Sequence, residues 1–122
     1  MKIWRKLFLF CLGGGVYAAL ELVYRGRTYG SMFFLGGACF LILGQLGRLR
    51  LSWPALTVLG AAAITAGELA TGLLFNRGYE IWDYRSLPLQ YRGQVCLQFS
   101  LLWLPLAFLG VQLYRGVESR LP

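Results

Sequence analysis

A chain of 122 residues has room for one domain, but 57% of it is hydrophobic and only 14% is charged, which excludes an ordinary soluble globule. Twelve Lys and Arg against five Asp and Glu give a net charge of +7, yet the cations flank apolar runs and form no single basic patch, so nucleic acid is not an expected partner. There is no histidine, and Cys11, Cys39 and Cys96 include no close pair; this excludes the usual Cys/His zinc spacings and leaves the thiols as small hydrophobes.

Four apolar stretches have about the length that crosses ~30 Å of hydrocarbon. The first covers 6–24 and follows the basic start of Lys2, Arg5 and Lys6. This imitates a signal peptide, with Val16-Tyr17-Ala18 like a cleavage site, but the apolar run continues past Ala18, so an uncleaved span is expected. "RGRTYG" makes a polar turn into a second span, 31–46, which Arg48 and Arg50 close. The third, 53–76, opens with Ser52 as N-cap and Pro54 in the first turn, where a missing N–H costs least. The fourth, 95–114, contains Pro105, which removes one helical hydrogen bond and predicts a kink. Gly13-Gly14-Gly15 lacks a following Gly-Lys-Ser/Thr and lies inside a span, so it is no phosphate loop. The expected fold is an all-α integral membrane protein: residues 1–122 as one domain, a four-transmembrane-helix bundle with a structured loop between helices 3 and 4. The lipid bilayer is its medium, and no cofactor or metal is expected.

Two acids lie within spans. Glu21 has Arg25 at i+4, a favourable order for a helix-end ion pair. Glu68 lies eight residues inside the third span's end, roughly 12 Å deep at 1.5 Å per residue. Gly72 and Asn76 extend its face outward, and Ala63, Gly67 and Thr71 form a small-residue ridge that permits close helix packing. An ionised group at such depth needs an explanation. Glu68 reads either as a structural carboxyl or as a residue that handles an ion, proton or solute.

The segment "NRGYEIWDYRSLPLQYRGQ" follows, 76–94. Trp82 and Tyr84 suit the membrane boundary, Asp83 has Arg25, Arg27 and Arg85 as candidate partners, and Pro88 limits helix continuation. The segment reads as a cap over a polar pocket or as an interfacial loop, since irregular backbone at membrane depth must lie against protein or water. Glu68, Glu21, Asn76, Asp83, Arg25 and Arg27 are the candidate binding residues. Lys2, Arg5, Lys6, Arg48, Arg50, Arg115 and Arg120 share the side of the termini, against Arg25, Arg27, Arg77, Arg85 and Arg92 on the other, which places both termini in the cytoplasm.

"ELVYRGRTYGSMFFLGGACF", "ITAGELATGLLFN", "WDYRSLP" and "GQVCLQFSLLWLPL" resemble, from about Gly15 to Pro105, the small four-span bacterial family named for ABC transporter permeases, type IV or CmpB-like. The family usually has Ser where this chain has Arg85, and Asn where it has Gln90. The resemblance implies a transporter subunit in the bacterial cytoplasmic (inner) membrane, with any ATPase on a separate chain. "GRLRLSWP" is the one plausible docking loop for it. Four spans are few for a translocation path, so a homo-oligomer is expected. Three functions follow: a carrier or channel for an ion or small polar solute; a membrane scaffold, regulatory subunit or holin-like pore; and an enzyme on lipid-linked substrates. Missing histidine, nucleophile motif and metal set weigh against the last, so no enzyme is expected.

Overall fold

The computed structural model describes residues 2–121, apart from the side chain of Arg25. Four helices form in chain order: α1 (Ile3–Arg25), α2 (Gly30–Leu46), α3 (Trp53–Phe75) and α4 (Leu97–Glu118). Two short strands, β1 (Gln90–Tyr91) and β2 (Val95–Cys96), pair antiparallel just before α4. The helix ends follow local chemistry. Gly26 terminates α1 in the left-handed region, φ 76°, where a side chain is disfavoured. The Ser52 hydroxyl accepts from the Ala55 N–H at 3.4 Å, with Pro54 in the first turn of α3.

Among the described residues three helices, α1, α3 and α4, are long and apolar enough to cross a membrane. The second is the exception to the expected set of four spans: its 17 residues reach about 25 Å at 1.5 Å per residue, short of a ~30 Å core. The fourth boundary also moves. Val95 and Cys96 belong to β2, and α4 runs through Pro105 to Glu118, beyond the expected end at 114. Glu118 ties the helix ends together: its carboxylate pairs with Arg48 at 2.5 Å, and its carbonyl accepts from Arg5 Nη2 at 3.0 Å. Arg115 also donates to the Gly47 carbonyl.

α1 packs on α2, and α3 on α4, while α2 contacts both α3 and α4. α1 and α4 meet near their ends, where Arg5 reaches the Glu118 carbonyl and Tyr24 meets Phe99 edge-on; between these contacts lies a cleft that α2 and α3 also line. Leu56, Gly60, Ile64, Glu68 and Gly72 form the buried face of α3, continuous in spacing with Asn76. The ridge of Ala63, Gly67 and Thr71 is half-buried beside it; Gly67 approaches Leu35 and Cys39 of α2. Large apolar side chains such as Leu7, Val23, Phe34, Leu74, Leu101 and Leu109 point outward, the arrangement a lipid solvent accommodates. Most of the core is one cluster that includes Met32, Leu35, Leu43, Ile64 and Val111, and it takes in Ile81, Trp82 and Tyr84 from the loop after α3.

Candidate functional site

Asn76 organises that loop. Its amide nitrogen donates to the Trp82 carbonyl at 2.6 Å and to Gln94 Oε1 at 2.8 Å. Its side-chain oxygen accepts from the backbone N–H groups of Ile81 at 2.8 Å and Trp82 at 3.3 Å. Gln94 returns a bond to the Asn76 carbonyl at 2.9 Å, and the indole N–H of Trp82 donates to the Gln94 carbonyl at 2.8 Å. Asn76 and Gln94 are 1% and 2% exposed, so every bond in this set substitutes for water. Both donors and both acceptor positions of the Asn76 amide are taken by protein.

The rest of the loop is bent by left-handed residues: Tyr79, Leu89, Arg92 and Gly93, with φ of 59°, 56°, 54° and 67°. Only Gly93 escapes the steric penalty, and it has a second reason to be glycine: a Cβ there would sit 2.7 Å from the Tyr79 ring. Specific contacts hold the bent segment. Tyr79 donates its hydroxyl to the Arg92 carbonyl at 3.0 Å, and the Gly93 N–H reaches Gln90 Oε1 at 2.5 Å.

Folded this way, the loop places Trp82 and Tyr84, each 4% exposed, against the bundle. The Tyr84 hydroxyl donates to Glu68 Oε2 at 3.2 Å. Glu68 is 2% exposed and Glu21 7%, and both line one cavity of about 450 Å³ with Tyr17, Trp82, Tyr84, Phe99 and Trp103. A smaller, almost wholly apolar slot of about 250 Å³ shares Tyr17, Leu20, Trp103 and Leu106 with it and continues along the cleft towards Gly13 and Leu113.

The candidate residues therefore separate. Glu21 and Glu68 come together under Trp82 and Tyr84. Asn76 lies at the root of the loop. Asp83 is exposed and lines a second, shallower hollow with Arg27, Tyr24 and Ile81. Of its candidate partners it pairs with Arg85, at 2.8 and 3.0 Å, and also accepts the Arg85 backbone N–H at 2.9 Å. Arg27 instead donates to the Glu80 carbonyl at 2.7 Å. Pro88 is exposed in the turn before β1 and lines neither the cavity nor the hollow. The Arg25 side chain, expected to pair with Glu21, lies outside the described residues. Tyr17, Phe99, Trp103 and Gln94 are not among the candidate residues of the sequence, although the last three lie in the stretch "GQVCLQFSLLWLPL" that carries the resemblance. Tyr17 precedes Glu21 by four residues and Phe99 precedes Trp103 by four, spacings that put each pair on one helical face.

The Arg85 side chain, through its hydrogen bonds, holds the Asp83 carboxyl below the ordinary aspartate range, and the guanidinium lies 4.0 Å from the centre of the Tyr79 ring. A lowered carboxyl stabilises its pairing above the ordinary range and loses that contribution as pH falls through the lowered value. In Arg85→Ser, which restores the residue usual in the resembled family, Asp83 is expected to titrate closer to ordinary aspartate. Carboxyl-carbon NMR of labelled protein checks this, and an unchanged titration would show that Arg85 does not set it.

Three helices of this length and apolarity are those of a membrane protein. The model of the family described as "Putative ABC-transporter type IV" matches residues 9–121, and the chain belongs to that family. No curated protein and no solved structure matches it.

Proposed function

We propose that this chain is the membrane-embedded part of a transporter, with the cavity between α1 and α4 as its solute site. The observation that carries the proposal is the convergence of Glu21 and Glu68, buried within apolar helices, on one cavity beneath the loop. Ionisable groups buried within apolar spans are rare and mark ion and solute pathways, and a cavity that gathers two of them suits an ion or small polar solute. In this reading α2 completes a fourth, short span, thinning or tilting against its neighbours to accommodate the mismatch. Both termini are cytoplasmic in the inner membrane, and the cavity opens near the outer face. The chain works as a homo-oligomer, catalyses no reaction itself, and engages a separate ATPase through residues 47–54, where Leu49, Arg50, Leu51 and Trp53 are exposed.

Native mass spectrometry of protein gently purified from its own membranes tests this. A small molecule retained by wild type and lost in Glu68→Gln, with the same oligomer in both, is the expected result. A co-purifying ATPase would support the energised form. A second reading, a membrane scaffold or regulatory subunit, draws on the Asn76 network, whose bonding capacity is spent on the fold. Stable complexes with unrelated membrane proteins and no retained molecule would favour it and sink the carrier.

A further inference from the structure

We infer that the apolar slot between α1 and α4 is a binding site for an anionic phospholipid, with its phosphate at Arg5 and one acyl chain running along the slot past Leu113 and Val16. Such a site is independent of the solute cavity, which lies towards the other end of the cleft.

Charge selects the end. Helices α1, α2 and α4 meet there, because Arg5 and Arg48 both reach Glu118 and Arg115 reaches the Gly47 carbonyl. Lys2, Lys6 and Arg120 lie at the same end, and of the chain's five acids only Glu118 does. Among the described residues of this end, Arg48 is the cation in an ion pair. Arg5 instead gives a bond to a backbone carbonyl, and its Nε, shielded from solvent, has no hydrogen-bond partner. A guanidinium so placed keeps charge and donor capacity for a phosphate, the group its planar fork matches. α1 also starts without a side-chain cap or an acid in its first turn, so its dipole adds to the positive potential. The slot supplies the rest of the site. Val16 and Leu20 on one lip, and Leu109 and Leu113 on the other, are exposed, while Leu43 and Ile64 behind them are buried. It therefore opens sideways to hydrocarbon. An acyl chain is what a bilayer supplies to such a groove, whose walls otherwise lack contacts on one side. Gly13 follows Arg5 by eight residues and Leu113 precedes Glu118 by five, roughly 12 and 7.5 Å along the helices. A glycerol backbone and the first carbons of a chain bridge that interval. A free phosphate has no use for the slot, and a neutral lipid has none for Arg5.

The test is native mass spectrometry of the full chain released from neutral detergent micelles, titrated with dioleoyl phosphatidylglycerol or with phosphatidylcholine carrying the same chains. One phosphatidylglycerol per chain is expected, retained at least fivefold more tightly than phosphatidylcholine. Arg5→Gln, which keeps a donor for the Glu118 carbonyl, should bring the two lipids within twofold of each other. Val16→Trp fills the slot from an exposed position and should weaken both lipids at least fivefold. Size-exclusion profile and helical circular dichroism report folding. Should Arg5→Gln not fold, Val16→Trp and the comparison of the two lipids in wild type still decide. Equal retention of the two lipids by wild type, or a folded Arg5→Gln that keeps the preference, would overturn the inference. So would retention that folded Val16→Trp leaves unchanged, which would put the lipid elsewhere on the cationic surface. Displacement of the phosphatidylglycerol by millimolar inorganic phosphate would also overturn it, by making the arginines a site for a free anion.

Discussion

Asn76→Ala is expected to unfasten the loop between α3 and α4 while leaving the helices in place. The substitution removes four hydrogen bonds at once and strands the N–H groups of Ile81 and Trp82, the Trp82 carbonyl and Gln94 Oε1 in a buried setting. Each stranded group costs on the order of 1–3 kcal/mol, although relaxation and water entry return part of it. A net loss of about 3 kcal/mol in the stability of this segment follows, at the upper end of single substitutions. Hydrogen exchange is the direct readout: the Ile81 and Trp82 amides should exchange at least a hundredfold faster, while amides in mid-α3 keep their protection. Trp82 should also pass into a wetter environment, and protease should cut among residues 77–93. Unchanged exchange at Ile81 and Trp82 would mean that apolar packing of Trp82 and Tyr84 alone holds the loop down. Asn76→Asp separates geometry from chemistry, since it keeps the acceptor but replaces the donor to Trp82 and Gln94 with a second acceptor.

The same residue shows what sequence can and cannot convey about this molecule. Helical spacing alone puts Glu68, Gly72 and Asn76 on one face of α3, and that face is the buried one. Trp82 and Tyr84 are legible as residues of a membrane boundary, which leaves a cap and an interfacial loop equally open; their burial against the bundle is what the structure adds. What Asn76 bonds to is not legible. Its partners lie 5 to 18 residues onward, along a loop whose path is set by left-handed turns at Tyr79, Leu89 and Arg92. Such residues leave no periodic trace, and none of these three is a glycine. Aromatic residues within spans are ambiguous for another reason: in lipid, Tyr17, Phe99 and Trp103 read the same whether they face a cavity or acyl chains. The length of α2 is hidden by the bordering Arg48 and Arg50, which close an apolar run without saying whether it reaches across.

Gly37→Ala should cost about 1–3 kcal/mol, as overpacking in a tight interior does, although alanine is the better helix former. The penalty comes from what the new methyl meets: the Phe10 carbonyl oxygen at 2.7 Å and the Phe10 ring at 2.8 Å. A side chain can swing aside, but a backbone carbonyl in α1 moves only if α1 moves, so the helix pair has to separate. Close approach through glycine is how helices associate in lipid, where no hydrophobic drive pulls them together. Gly15→Ala is the matched control. It lies in α1 with nothing within 4 Å of the place its methyl would take, so helix propensity should dominate and stabilise by about 0.5–1 kcal/mol. Opposite shifts in melting temperature are therefore expected from the same chemical change. α1 rests mainly on α2 and carries Tyr17 and Glu21 to the cavity, so Gly37→Ala should weaken ligand binding in step with stability, whereas Gly15→Ala leaves it intact. If both variants were stabilised, the close approach of Gly37 to the Phe10 carbonyl would not be what positions α1 against α2.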